Sequence, residues 1–126
     1  MIVLDTSALL YWTLDPDKLS SDAEQAIENA NRIVISSVSV WEIALKLKRG
    51  KLVIPLTISE YVERLERLEA LEILSVDVQT WLDNLELLWE HRDPADRTIV
   101  ALATRFGCPL ITSDRVIADY YQETVW

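Results

Sequence analysis

Apolar residues follow two rhythms along this chain, and their alternation predicts the architecture. Short apolar runs stand at residues 1–4, 33–35, 73–74 and 109–111. Such runs fit strands buried on both faces. Between them the apolar positions shift to helical spacing. Ile58, Tyr61, Val62, Leu65 and Leu68 form one stripe, and Val78, Trp81, Leu82, Leu85 and Leu88 form another. Both read as amphipathic helices with one face in the core.

Polar punctuation sets the boundaries. A helix is predicted from about Ser7 to Trp12, then a turn at Asp15-Pro16-Asp17. Ser20 or Ser21 caps a helix to about Asn31, with Glu24 completing a capping box if Ser21 is the cap. After a strand at 32–36, Ser37 or Ser39 opens a helix to about Arg49, where Gly50 stops it. Residues 52–56 form an extended connection, and Thr57 or Ser59 starts the next helix. A strand at 72–75 leads to a helix capped by Asp77. Asp93-Pro94 opens a helix to about Phe106, since proline suits the first helical position. A strand at 109–112, a helix at 115–121 and an edge strand at 124–126 complete the chain. The fold class is α/β: one domain over residues 1–126, with a central parallel sheet flanked by helices on both faces. Ligands in such folds collect beyond the C-terminal ends of the strands.

Composition narrows the picture. Half the residues are hydrophobic, so a packed core is expected, and the five tryptophans are expected mostly within it. A single cysteine, Cys108, excludes an internal disulfide and reads as a small core residue. Residues 1–4 are too short for a signal peptide and no apolar run suits a membrane span, so a cytoplasmic protein is expected. The net charge of −9 argues against nucleic-acid binding unless bound cations offset it. Basic residues are local: Lys46, Lys48, Arg49 and Lys51 in one cluster, and Arg92, Arg97, Arg105 and Arg115 near the later acids.

Four acids carry the candidate chemistry. Asp5 ends the first strand, Asp114 follows the fourth, and Glu42 and Asp96 lie in opening turns of helices that face the same edge. Singly, each has an ordinary explanation. Asp5 and Asp114 suit helix caps, Glu42 an ion pair with Lys46, and Asp96 the helix dipole. Together they would repel one another without a cation between them. Glu42 also sits among Val38, Trp41 and Leu45, where a buried carboxylate needs a partner. Hard oxygen ligands point to Mg²⁺ or Mn²⁺. Asp119 is a possible fifth acid, and the lone His91 excludes acid–base chemistry by a histidine pair.

Val3-Leu4-Asp5-Thr6-Ser7, Ser39-Val40-Trp41-Glu42-Ile43, His91-Arg92-Asp93-Pro94-Ala95-Asp96-Arg97 and Ile111-Thr112-Ser113-Asp114 stand in this order along the chain. The set resembles the successive motifs of PIN-domain ribonucleases, in particular VapC-type toxins of toxin–antitoxin pairs. The resemblance implies that Asp5, Glu42, Asp96 and Asp114 hold Mg²⁺ or Mn²⁺ for hydrolysis of an RNA phosphodiester bond. It implies a homodimer, inhibited by a cognate antitoxin that covers the active-site groove. Thr6, Ser7, Arg97, Ser113 and Arg115 flank the acids and are candidates for RNA contact. Two other classes compete: a metal-dependent phosphotransfer enzyme with Asp5 as nucleophile, and a non-catalytic interaction module whose acids serve stability. Ser7 stands where a haloacid-dehalogenase-type phosphatase needs a second Asp.

Overall fold

A computed structural model describes residues 1–126. In chain order the elements are β1 (Ile2–Leu4), α1 (Thr6–Leu14), a 3-10 turn (Pro16–Lys18), α2 (Ser21–Asn29), β2 (Ile33–Ser36), α3 (Ser37–Lys48) and α4 (Ile58–Glu66). They continue with β3 (Leu71–Leu74), α5 (Val78–Glu86), α6 (Pro94–Phe106), β4 (Leu110–Ile111), α7 (Arg115–Tyr120) and β5 (Thr124–Val125). The strands form one parallel sheet in the order β3-β2-β1-β4-β5. Val3 pairs with Val34 on one side and Leu110 on the other.

Side chains alternate across this sheet with period two. Ile2, Leu4, Ile33, Ile35 and Ile111 meet Leu9, Ile27, Ile43, Tyr61 and Leu65 from helices α1 to α4. Val3, Val34 and Leu110 meet Ile99, Val100, Ala103 and Ile117 from α6 and α7. Helices thus cover both faces, as the apolar runs predict. Cys108 is buried with the second group.

The strand order creates the site. The chain steps outward from β1 to β2 to β3, then crosses back to place β4 and β5 on the other side of β1. The connections after β1 and β4 therefore diverge and leave a crevice at the C-terminal end of the sheet.

The structure settles the caps and corrects several expectations. Ser20 caps α2 by accepting from Ala23 N, and the capping box falls at Thr57 and Glu60. Ser36, the last residue of β2, caps α3 in place of Ser37 or Ser39. Gly50 follows that helix with φ 68°, and Gly107 ends α6 with φ 58°, a left-handed conformation that favours glycine. The tryptophans are not core residues: none is buried, and Trp41 is 56 % exposed. The stripe of α5 also faces outward. Val78, Trp81, Leu82, Leu85 and Leu88 are exposed, while Thr80 and Asn84 are buried. Helix α5 attaches to α6 by polar contacts. Asn84 Nδ2 donates to Thr98 Oγ1 at 3.0 Å, and Arg105 pairs with Asp83 at 3.1 Å.

Candidate metal centre at the strand ends

Asp5 is placed by backbone pairing. Its N–H donates to Ile111 O, which continues the β1–β4 ladder by one residue and leaves the side chain at the mouth of the crevice. Oδ1 accepts from Ala8 N at 2.8 Å, so the residue caps α1. Oδ2 accepts from the Thr112 hydroxyl. The same Thr112 oxygen accepts from Asp114 N at 3.0 Å and so ties the two strand-end acids together. Asp5 is only 6 % exposed. Burial pushes its carboxyl up to about 6 against the opposing effect of the Thr112 and Ala8 hydrogen bonds; Asp96 and Asp114 add to the rise.

Asp96 lies in the first turn of α6. Asp93 caps that helix, with Oδ1 accepting from Ala95 N at 2.9 Å and Asp96 N at 3.2 Å. Burial again raises the Asp96 carboxyl, opposed by its hydrogen bond to His91 and reinforced by Asp93 and Asp114. Asp114 caps α7 through Val116 N at 2.9 Å. Glu42 reaches the cleft from α3. Expected to be buried, it is half-exposed with no hydrogen-bond partner, because Trp41 turns outward beside it.

All four expected acids line one cleft of about 220 Å³, together with Thr6, Ser7, Lys46, Asp93 and Ser113. No lining residue is hydrophobic. Five carboxylates thus face one ammonium group. This donor set fits a hard divalent cation, since oxygen ligands are plentiful and a positive charge is missing. Asp119 lies outside; Asp93 is the fifth acid.

The flanking residues divide. Ser7, Ser113 and Arg115 have no side-chain hydrogen bond, and Arg115 is exposed. The Thr6 hydroxyl is turned inward and donates to Ser39 Oγ at 2.9 Å, which joins α1 to α3. Arg97 is not available to RNA. Its Nε donates to Asn84 Oδ1, its Nη1 to the carbonyls of Trp89 and His91, and its Nη2 to those of Asn84 and Leu87. All five guanidinium donors are spent inside the protein. Thr112, Ser39, Asp93 and Lys46 escaped the sequence reading as site residues. The Thr112-Ser113-Asp114 run was the available signal for the first, because a hydroxyl beside a strand-end acid can bond across to the neighbouring strand.

Comparison with known proteins bears on the fold and the family. Ribonuclease VapC22 of Mycobacterium tuberculosis (strain ATCC 25618 / H37Rv) is 27 % identical over 128 residues, which cover 99 % of this chain and 98 % of the relative. A toxin–antitoxin complex from Klebsiella pneumoniae superposes with a TM-score of 0.67 at 19 % identity, covering 100 % of this chain and 97 % of the other. Mycobacterium tuberculosis VapC20, described as a sarcin–ricin-loop-cleaving toxin, gives 0.65 at 15 % identity over 97 % and 98 % of the two chains. The PIN domain family model matches residues 2–123, from the strand before Asp5 to the residue before β5. With a parallel α/β sheet and a family model that spans nearly its whole length, the chain belongs to the PIN-domain family.

Proposed function

We propose that this protein is a Mg²⁺- or Mn²⁺-dependent endoribonuclease and the toxin of a toxin–antitoxin pair, acting in the cytoplasm. One observation carries the reading: five carboxylates surround a cleft that holds a single lysine and no apolar side chain. A divalent cation bound there would offset the charge of a phosphate and would acidify water, the chemistry that phosphodiester hydrolysis needs. The chain's own residues supply its seat. Asp5 is held at both oxygens by Thr112 and Ala8, and each oxygen keeps a further acceptor position. Asp96, Asp114 and Glu42 close the ring, and Lys46 limits the repulsion among them. Ser7, Ser113 and the unpaired Arg115 stand at the rim, where they suit contact with an RNA backbone. No helix is long and apolar enough to cross a membrane.

The apolar face of α5, continued by Trp41 of α3, suits a second copy of this chain. Exposed apolar patches of this kind mark association surfaces. The antitoxin suits a separate groove of about 330 Å³ between α1 and α4, lined by Trp12, Leu14, Leu56, Tyr61 and Leu65 with Arg64 beside them. The Klebsiella relative was itself solved as a toxin–antitoxin complex.

The decisive experiment is cleavage of a defined RNA with Mg²⁺ or Mn²⁺, with EDTA, and with Asp5→Asn. Cleavage that needs the metal and falls at least about 100-fold in Asp5→Asn supports the reading. Cleavage unaffected by EDTA, or a fully active Asp5→Asn protein, sinks it.

A further inference from the structure

We infer that His91 is a positioning residue for Asp96, set in place by Arg97 from behind. The inference rests on the cleft being a cation site. His91 Nε2 lies 2.8 Å from Asp96 Oδ2. The ionised carboxylate that a cation site requires only accepts, and in that state Nε2 is the donor. One Asp96 oxygen is thereby fixed, and the other is left for a cation.

His91 has no secondary structure of its own to hold it; the segment from Leu87 to Asp93 is irregular. Two devices fix it. The imidazole packs on Trp89, with centroids 4.7 Å apart, and Trp89 stacks on Tyr120 of α7 at 4.8 Å and 11°. From the other side Arg97 donates to the carbonyls of Leu87, Trp89 and His91. Arg97 forms no ion pair with any carboxylate, so its contacts in the fold are with this segment and Asn84. Hydrogen bonds from outer groups to a metal-binding carboxylate or imidazole set ligand orientation, and their removal typically weakens metal binding about 10- to 100-fold.

The test is direct Mn²⁺ binding by calorimetry to the intact protein, with RNA cleavage and thermal melting run in parallel. His91→Ala is expected to weaken Mn²⁺ binding about 10- to 100-fold. The loss should appear in the half-saturating Mn²⁺ concentration for cleavage rather than in kcat at saturating metal. His91→Gln, whose amide can reach and donate in the same place, should restore Mn²⁺ affinity to within about threefold, which a purely packing role would not allow. Arg97→Lys makes fewer bonds to the segment and should also weaken Mn²⁺ binding, but not further in a His91→Ala background. In metal-free protein, nitrogen-15 spectra should show a histidine Nε2–H that Asp96→Asn perturbs.

Mn²⁺ affinity within twofold of the parent in His91→Ala overturns the inference, as do equal losses in His91→Gln and His91→Ala. Additive effects of the Arg97 and His91 substitutions remove Arg97 from it. A parent that binds Mn²⁺ and leaves RNA intact overturns the ribonuclease reading alone, whereas a parent that binds no Mn²⁺ overturns both.

Discussion

Helix α4 buries Tyr61 and Leu65 against the sheet, whereas α5, built on the same apolar spacing, leaves Val78 at 75 % and Leu85 at 77 % exposure. What differs is the other face. Beyond Tyr61 and Leu65, α4 offers mainly charged residues: Glu60, Glu63, Arg64, Glu66. Helix α5 offers Thr80, Asp83 and Asn84, which bond to Arg97, Thr98 and Arg105 of α6. Those polar bonds dock α5 backwards, with its stripe toward solvent. Periodicity therefore reports that a stripe exists, while the partners of the opposite face decide whether this chain or another covers it.

Leu65→Ala should cost about 3–4 kcal/mol in urea unfolding, because a fully buried side chain leaves a cavity. Leu85→Ala, measured at concentrations where the protein is monomeric, should cost less than about 0.5 kcal/mol. Equal costs at the two sites would erase the contrast.

Burial at Asp5 acts in the opposite sense to burial at Leu65, and it is nearly as large. With its carboxyl raised from 3.8 to about 6, the folded metal-free protein holds that proton more tightly than the unfolded chain. The stability this confers is complete below about pH 4 and is lost as pH rises through 6, a change of about 3 kcal/mol. Unfolding from pH 4 to 8 in EDTA should therefore show a decline that Asp5→Asn removes. Added Mn²⁺ should reverse it at pH 8. A decline that persists unchanged in Asp5→Asn assigns it to another group.

A smaller effect tests the polar docking of α5. Asn84→Ala leaves Arg97 Nε without an acceptor and removes the bond to Thr98, whose hydroxyl keeps the Pro94 carbonyl, and should cost about 1–3 kcal/mol. If it costs nothing, these bonds do not hold α5 in place. Smallest for the monomer is Leu82→Asp with Leu85→Asp, on the solvent-facing stripe. Its stability should change by less than about 0.5 kcal/mol, and if α5 is the proposed dimer face, ultracentrifugation should find a dimer in the parent and none in this variant. A parent monomeric at high micromolar concentration removes the second copy from α5.

Much of this was legible in the residues. The two rhythms predicted a parallel sheet wrapped by helices, and Asp93-Pro94 and Gly107 marked both ends of α6. The four acids were visible because they follow strands or open helices. What escaped depended on contacts between distant segments. Thr112 bonds Asp5 across 107 positions, and Thr6 bonds Ser39 across 33. Arg97 follows a site acid in sequence, so a substrate role seemed natural, but its donors are consumed by carbonyls of residues 84–91. Carbonyls are present in every residue and leave no mark in sequence. Glu42 was misjudged for a related reason: apolar neighbours on a helix do not imply burial when one of them, Trp41, turns out to solvent.

The bond from Thr112 to Asp5 also bears on how the protein is made. Synthesis delivers Asp5 107 positions before Thr112, and β4, which lies beside β1, is only two residues long. The ribosome must therefore add all the residues between them before the strand-end acids can be linked. Partial chains carry Asp5 and Glu42 but no closed ring, so a nascent or truncated product lacks a complete centre. A nascent chain still short of Thr112 therefore cannot link Asp5 to Asp114, however early β1 and β2 have been made.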